Sequence, residues 1–496
     1  MKQEQKIDLS HYVSNLDKNV YTIFNLPEEV IAVIFAYVSR SSASFRDNLR
    51  KLLADDELNV SLNAAGAARG HSKKAARFHE KWVVGYGHSS VAEHAVAHIG
   101  IEKISRMASA ELELANTFNS FTEYSQRYQR PKRGDFYLPP VLEQNLELKE
   151  KYLDLQNKAY DTYEQLLNGL NRYLLEVIPQ KPDEPERAYR MRIEKIAFED
   201  ARYVLTLATY TNLGMTGNGR ALRDTLVQLL SSPYDECRKL AKEMEQEICQ
   251  VIPTLLKYVN PNDYLLKTRQ KLKDLILNQT PASPSVKGPH ARMIKIPDYK
   301  EALTELITQL IISETPLSYA EAQQQARSYS KEQLEQLAET ALSELRFFDN
   351  PRREFEHIHY QFELLISEAN WHQLLRHNRR THFSYGLPTI HLGYTIPPHI
   401  KEAGLDELYQ SFLHEAENVY QTIFSWNPEA AAYVVTNAHH RQVTATASLW
   451  ELYHLINLRT SPEAQWDIRQ AFLSLFEELK THHPVLAKYA QRRISS

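Results

Sequence analysis

Leu458-Arg-Thr-Ser-Pro-Glu-Ala-Gln-Trp-Asp-Ile-Arg469 is the stretch from which the rest of the chain can be read. Ser461 before Pro462 offers an N-cap hydroxyl and then an N1 proline, so the pair predicts a helix start. Ala464, Ile468, Ala471 and Leu475 then recur at the three- and four-residue intervals of one helix face. An earlier stretch repeats the arrangement: Leu229-Leu230 precede Ser232-Pro233, which opens another acidic helix start. Upstream, Glu93-His94 and Glu356-His357 each lead into a mixed apolar run and then a polar-faced helix. These echoes predict two degenerate copies of one domain.

Between the copies stands Gln279-Thr-Pro-Ala-Ser-Pro-Ser-Val-Lys-Gly-Pro289, whose three prolines and lack of periodicity predict a linker over 279–290. The first domain then covers 1–278, with an insertion over about 130–190, and the second covers 291–496. Ile101, Ile104, Ala108, Leu112 and Ala115 share helical spacing. Ala201–Tyr210 and Ala430–Thr436 suit strands or buried helix starts, and periodicity does not decide between them.

Composition narrows the function. The 496 residues carry a net charge of −4 and are 43% hydrophobic, which excludes wholesale disorder and gives no basic field for nucleic acid or a membrane surface. Glycine is scarce at 14 residues, which argues for helices over Gly-rich phosphate loops. The two cysteines, Cys237 and Cys249, would lie about 18 Å apart along a helix, too far to bridge within it. No apolar run spans a bilayer, so the chain reads as soluble and cytoplasmic.

Several segments could carry chemistry. In Trp371-His-Gln-Leu-Leu-Arg-His-Asn378, the pairs His372/Arg376 and Gln373/His377 make a polar strip, suited to phosphate and a pyrimidine edge or simply to a solvated helix end. In Glu123-Tyr-Ser-Gln-Arg-Tyr128, Ser125 and Arg127 suit an anion or a plain strand edge. Gly87-His-Ser-Ser-Val-Ala-Glu-His94, His357-x-His359 and His439-His440 read as structural, and no metal is expected. Gly217-Asn-Gly219 lacks a dinucleotide fingerprint's context.

Together these segments resemble the flavin-dependent thymidylate synthases. That family carries R-H-R-x-x-S-x-N-x-x-S-x-R, preceded by H-x-[ST]-x-x-E-H and followed by L-R-x-x-x-x-A-Q-W-E-I. His88-Ser-Ser-Val-Ala-Glu-His94 matches the leading element, Ser125-Gln-Arg-Tyr128 the end of the hallmark, and Leu458–Arg469 the last element. Departures are many but largely complementary. The first copy reads Ala115-Asn-Thr117 in place of R-H-R and Leu229-Leu230 in place of L-R, but keeps Arg202, Asn218 and Arg220. The second keeps Gln373, Arg376, His377 and Arg459, but has Asn378 for the second arginine, and Ala432 and Ser448 where Arg202 and Asn218 would fall.

The resemblance implies an α+β fold: two tandem domains, helix-rich, each with a central, mainly antiparallel sheet. It implies reductive methylation of dUMP to dTMP with FAD, NADPH and methylenetetrahydrofolate, on composite sites built from both halves of a homodimer that mimics a tetramer. Ser125, Arg127, Arg202, Gln373 and Arg459 would hold the nucleotide, with Arg459 and His88 in catalytic positions. His88, Ser90, Glu93, Asn218, Arg220, Arg376, His377 and Asn378 would contact the cofactor. The broken hallmark leaves two alternatives, methylation of another pyrimidine and a non-catalytic nucleotide-binding or interaction protein.

Overall fold

Two runs of elements follow one order. The first starts with a 3-10 turn at Ser89–His94 and continues through β1 (Val96–Ser105), α1 (Arg106–Ala115), β2 (Ser120–Glu123), α2 (Leu146–Val177) and α3 (Glu186–Ala201). It ends with a turn at Arg202–Val204, β3 (Tyr210–Asn218), α4 (Gly219–Leu230) and α5 (Asp235–Ile248). After β4 (His290–Lys295) and α6 (Tyr299–Glu314) the second run starts with a turn at Arg353–His357. It continues through β5 (His359–Ser367), α7 (Glu368–Leu374), a turn at Leu375–His377, β6 (Thr381–Tyr385), α8 (Asp406–Phe424) and α9 (Pro428–Ala431). A turn at Ala432–Val434, β7 (His440–Ser448), α10 (Leu449–Arg459) and α11 (Trp466–His482) complete it. This computed structural model describes residues 8–38, 43–53, 61–62, 68–69, 89–257, 259–277 and 288–494, so most of the expected linker lies outside the described residues.

The two larger sheets are antiparallel, ordered β1-β3-β2 and β4-β5-β7-β6. The fold is therefore α+β and helix-rich. Burial alternates along β3 and β7, as a sheet with one covered face requires. Each of these strands hands over to a helix through a cap on its last residue. Asn218 Oδ1 accepts from Ala221 N at 2.9 Å, and Ser448 Oγ accepts from Glu451 N at 3.3 Å.

The chain forms two compact units, 1–124 with 210–280 and 125–209 with 281–496. This division differs from 1–278 and 291–496, because Ser125–Thr209, with the expected insertion, belongs to the second unit. In unit 1, Ser105 caps α1 through Ala108 N and also donates from N and Oγ to the Glu236 carboxylate at 2.8 and 2.5 Å. In unit 2, Ser367 caps α7 through Asn370 N and donates to Asp467.

Unit 2 contains its own internal echo. Tyr203-Val-Leu-Thr206 and Tyr433-Val-Val-Thr436 pair antiparallel about Thr206 and Thr436, with Leu207 N donating to Val435 O at 2.8 Å and Asn437 N to Leu205 O at 2.9 Å. The Tyr152 hydroxyl donates to Tyr137 O and the Tyr409 hydroxyl to Thr395 O, each at 2.6 Å. Ala201–Tyr210 and Ala430–Thr436 are thus helix ends with a 3-10 turn and isolated bridges, Thr206 to Thr436 and Thr209 to Phe136, before Tyr210 opens β3, since a buried backbone there needs partners.

Three local expectations are corrected. Ile101 and Ile104 lie on β1, and the helix begins only at Arg106. A bulge between Ile101 and Ile104, with Lys103 at φ +56°, brings both inward at a spacing that mimics a helix. Ser461 does not cap α11; Ala464 N donates to Ser461 O, and the helix starts at Trp466 after that turn. Ser232 likewise precedes α5 by a turn, its Oγ accepting from Tyr234 N at 3.2 Å. Among the described residues no helix is long and apolar enough to cross a membrane.

Candidate functional site

Unit 2 gathers the expected nucleotide ligands from both sides of the linker. Ser125 opens a tight turn, its Oγ accepting from Arg127 N at 3.3 Å, and this turn presents the Arg127 side chain. Arg127 Nε donates to Glu199 Oε1 at 2.8 Å and Nη2 to Glu463 O at 3.2 Å, which ties it to the segment before α11. Arg202 is buried, with its Nε 3.4 Å from Glu199 O and its own carbonyl accepting from Asn437 Nδ2 at 2.9 Å.

Arg459 ends α10, and its guanidinium is held by the end of α7 and the turn after it. Nε donates to His377 Nε2 at 2.9 Å, while Nη2 reaches the same nitrogen at 2.6 Å and Gln373 O at 2.6 Å. Burial and the nearby Arg376 and Arg127 charges push Arg459 down to about 9, which leaves it cationic at neutral pH. Cations that repel one another in this way make a site for an anion. Gln373 Nε2 donates to Gln465 Oε1 at 3.2 Å; Gln465 donates to the Tyr203 hydroxyl at 3.0 Å, which donates to Asp467 at 2.8 Å.

His377 was expected to touch a cofactor but is buried, and burial with Arg459, His454 and Arg376 keeps its ring far below the usual imidazole range. The helix that would have carried a solvated polar strip stops at Leu374, and the 3-10 turn that follows rolls His377 inward. Arg376 is exposed and Asn378 half-buried, its N donating to Leu375 O at 3.1 Å. Arg380 lies 4.0 Å over the Trp450 ring and pairs with Glu356 at 2.8 Å.

Unit 1 holds the rest of the expected cofactor set. Ser90 and Glu93 are exposed on the 3-10 turn before β1, and Glu93 accepts from Arg220 Nη1 at 2.6 Å. Asn218 spends its Oδ1 on the α4 cap. His88 lies outside the described residues.

The family described as "Thymidylate synthase complementing protein" matches residues 24–254 and 303–485. The chain belongs to this family, as a tandem. A UPF0159 protein from Chlamydia muridarum is 27% identical over 98% of this chain and 94% of its own length. A UPF0159 protein from Thermoplasma acidophilum is 26% identical over 84% of this chain and 89% of its own. A flavin-dependent thymidylate synthase from Saccharolobus solfataricus is 31% identical over 40% of this chain and 72% of its own.

Membership of the thymidylate synthase complementing protein family does not point to two residues beside Arg459 that sequence reading missed. Glu451 and His454 sit three apart on α10, the spacing of one helix face. Their ligand atoms and one from His377 lie within 4.8 Å of one another. Burial pushes Glu451 up to about 7 against the pull of Arg380 and the Thr381 hydroxyl. The E-x-x-H spacing could have flagged them. By contrast His440 is a satisfied core residue, 2.8 Å from Thr395 Oγ1 and 3.1 Å from Leu392 O. His357 and His359 border a cleft of about 740 Å³ against α6, with Arg327 and Glu305.

Proposed function

We propose that the chain is a flavin-dependent methylase that converts dUMP to dTMP, with methylenetetrahydrofolate as carbon donor and NADPH as reductant. The observation that carries this reading is the meeting of Arg127, Arg376 and Arg459 beside Gln373 in unit 2 of a thymidylate synthase complementing family member. The guanidiniums would bind the nucleotide phosphate, and the Gln373 amide would exchange Gln465 for the pyrimidine edge. Arg459 would then stabilise negative charge developing on the ring.

The cofactor residues fit FAD unevenly. Arg220 is on the surface of unit 1, and Asn218 has amide protons beyond its cap bond, so both suit a pyrophosphate. His377 does not suit that role, since Arg459 already occupies its Nε2. Bound flavin would supply the electron and carbon transfer. We place the protein in the cytoplasm as a homodimer.

Two pairs of expected ligands, Glu93–Arg220 and His377–Arg459, satisfy each other, which favours a non-catalytic nucleotide binder as the second reading. Purified protein incubated with FAD, NADPH, labelled methylenetetrahydrofolate and dUMP or other pyrimidine nucleotides separates these. Labelled dTMP supports the proposal, and label in a different pyrimidine moves the substrate. A colourless protein that binds dUMP and refuses FAD supports the second reading.

A further inference from the structure

The hydrogen bond between Arg459 and His377 fixes more than a position. A guanidinium has only donors, so the His377 Nε2 that receives Nε and Nη2 must present its lone pair. The ring is neutral, because burial and the Arg459, His454 and Arg376 charges oppose a second proton. Its one proton therefore sits on Nδ1. That nitrogen faces Glu451 Oε1 at 3.9 Å, where a carboxylate attracts an N–H dipole and would repel a lone pair.

We propose that Glu451 is a positioning residue whose carboxylate selects the Nδ1–H form of His377 and so makes Nε2 the acceptor that holds the Arg459 guanidinium. The proposal deepens the nucleotide site and rests on that reading only for the identity of the anion. Facing Glu451 are His454 from its own helix, His377 from the turn, Thr381 from β6 and Arg380 just before it, while Arg376 and Arg459 bear on His377 and Arg493 bears on His454. With so many guanidiniums nearby, a dication among His377, Glu451 and His454 would meet strong repulsion. The Glu451 acid is held near 7 by its burial. As pH falls through that value the carboxylate takes a proton from solvent and its pull on Nδ1–H weakens, so the Nε2–H form, which leaves Arg459 without its acceptor, gains population.

The test reads the His377 tautomer by 15N NMR in ligand-free protein, with the signal assigned through His377→Gln, and the affinity for inorganic phosphate and dUMP by calorimetry at pH 8. Nδ1–H in the wild type, with the other tautomer appearing in Glu451→Gln, supports the proposal; Nε2–H in the wild type, or a tautomer unaffected by Glu451→Gln, overturns it. Glu451→Gln should bind dUMP about fivefold to tenfold more weakly. Tighter binding, the result of merely removing a negative charge beside an anion, overturns it. His377→Gln removes the imidazole acceptor that holds Arg459 and should itself weaken dUMP binding, and adding Glu451→Gln to it should change nothing further. An additional loss in that double variant overturns the route through His377. Should Glu451→Gln fail to fold, the wild-type tautomer must shift as pH falls through about 7; a constant tautomer from about pH 5.5 to 9 overturns the proposal. The expected tautomers in a protein that binds neither phosphate nor dUMP support this inference and overturn the nucleotide reading.

Discussion

Arg459 and Arg127 are single side chains whose present partners are chiefly other protein groups: His377 and Gln373 O for one, Glu199 and Glu463 O for the other. Binding a phosphate would add a charge-assisted bond to each. Arg459→Ala and Arg127→Ala should therefore each weaken dUMP binding by about 10- to 100-fold with the fold retained, measured by calorimetry beside a circular dichroism melt. The sequence singles out both arginines because each sits in a recognisable short motif. The pairing of Glu451 with His377 was not legible, because the local E-x-x-H spacing points only to His454 and nothing local marks the glutamate as facing a histidine on a distant turn. Burial, which sets its proton affinity, is a property of packing and not of its neighbours in sequence.

At the scale of elements, strand-to-helix joints decide where side chains point. Ser367 ends β5, caps α7 through Asn370 N at 3.0 Å and donates to the buried Asp467. Ser367→Ala removes the cap and leaves a buried carboxyl one donor short, which should cost about 2 kcal/mol in urea unfolding. A second joint ties the end of α3 to the start of α11. Asp200 accepts from Trp466 Nε1 at 2.7 Å and lies 2.7 Å from His399 Nδ1. The hydrogen bond that His399 donates to Asp200 raises the His399 proton affinity against partial burial, so its contribution is complete below the ordinary imidazole value of about 6.5 and is lost as pH rises through the raised one. Burial pushes Asp200 upward as well, which penalises its charged form and keeps the net gain small, about 1 kcal/mol. The stability gap between wild type and His399→Gln should thus be widest near pH 6 and shrink towards pH 9 in denaturant melts. The sequence showed that helices follow Ser232 and Ser461, but it misplaced their first turns. A serine-proline pair caps a helix only where the chain runs straight into it, and here a turn intervenes each time.

For the whole molecule, the repeat and the helix-rich composition are readable in the sequence, whereas the division into units is not. The Pro-rich linker suggested that contacts break there, yet Ser125–Thr209 packs with residues beyond it, through the paired Tyr203–Thr206 and Tyr433–Thr436 segments. Local composition cannot report such a pairing, because it depends on two copies of one segment meeting across a long stretch of chain. The consequence is testable. Arg127 lies before the linker and Arg459 after it, but both belong to unit 2 and the charge of one bears on the other. Each variant therefore damages the same guanidinium cluster within its own chain. Arg127→Ala and Arg459→Ala proteins, unfolded together, refolded and assayed for dUMP binding, should give only the mean of the two separate values. Recovery above that mean would require clusters completed by different chains, because only an exchange of segments reunites an intact Arg127 with an intact Arg459.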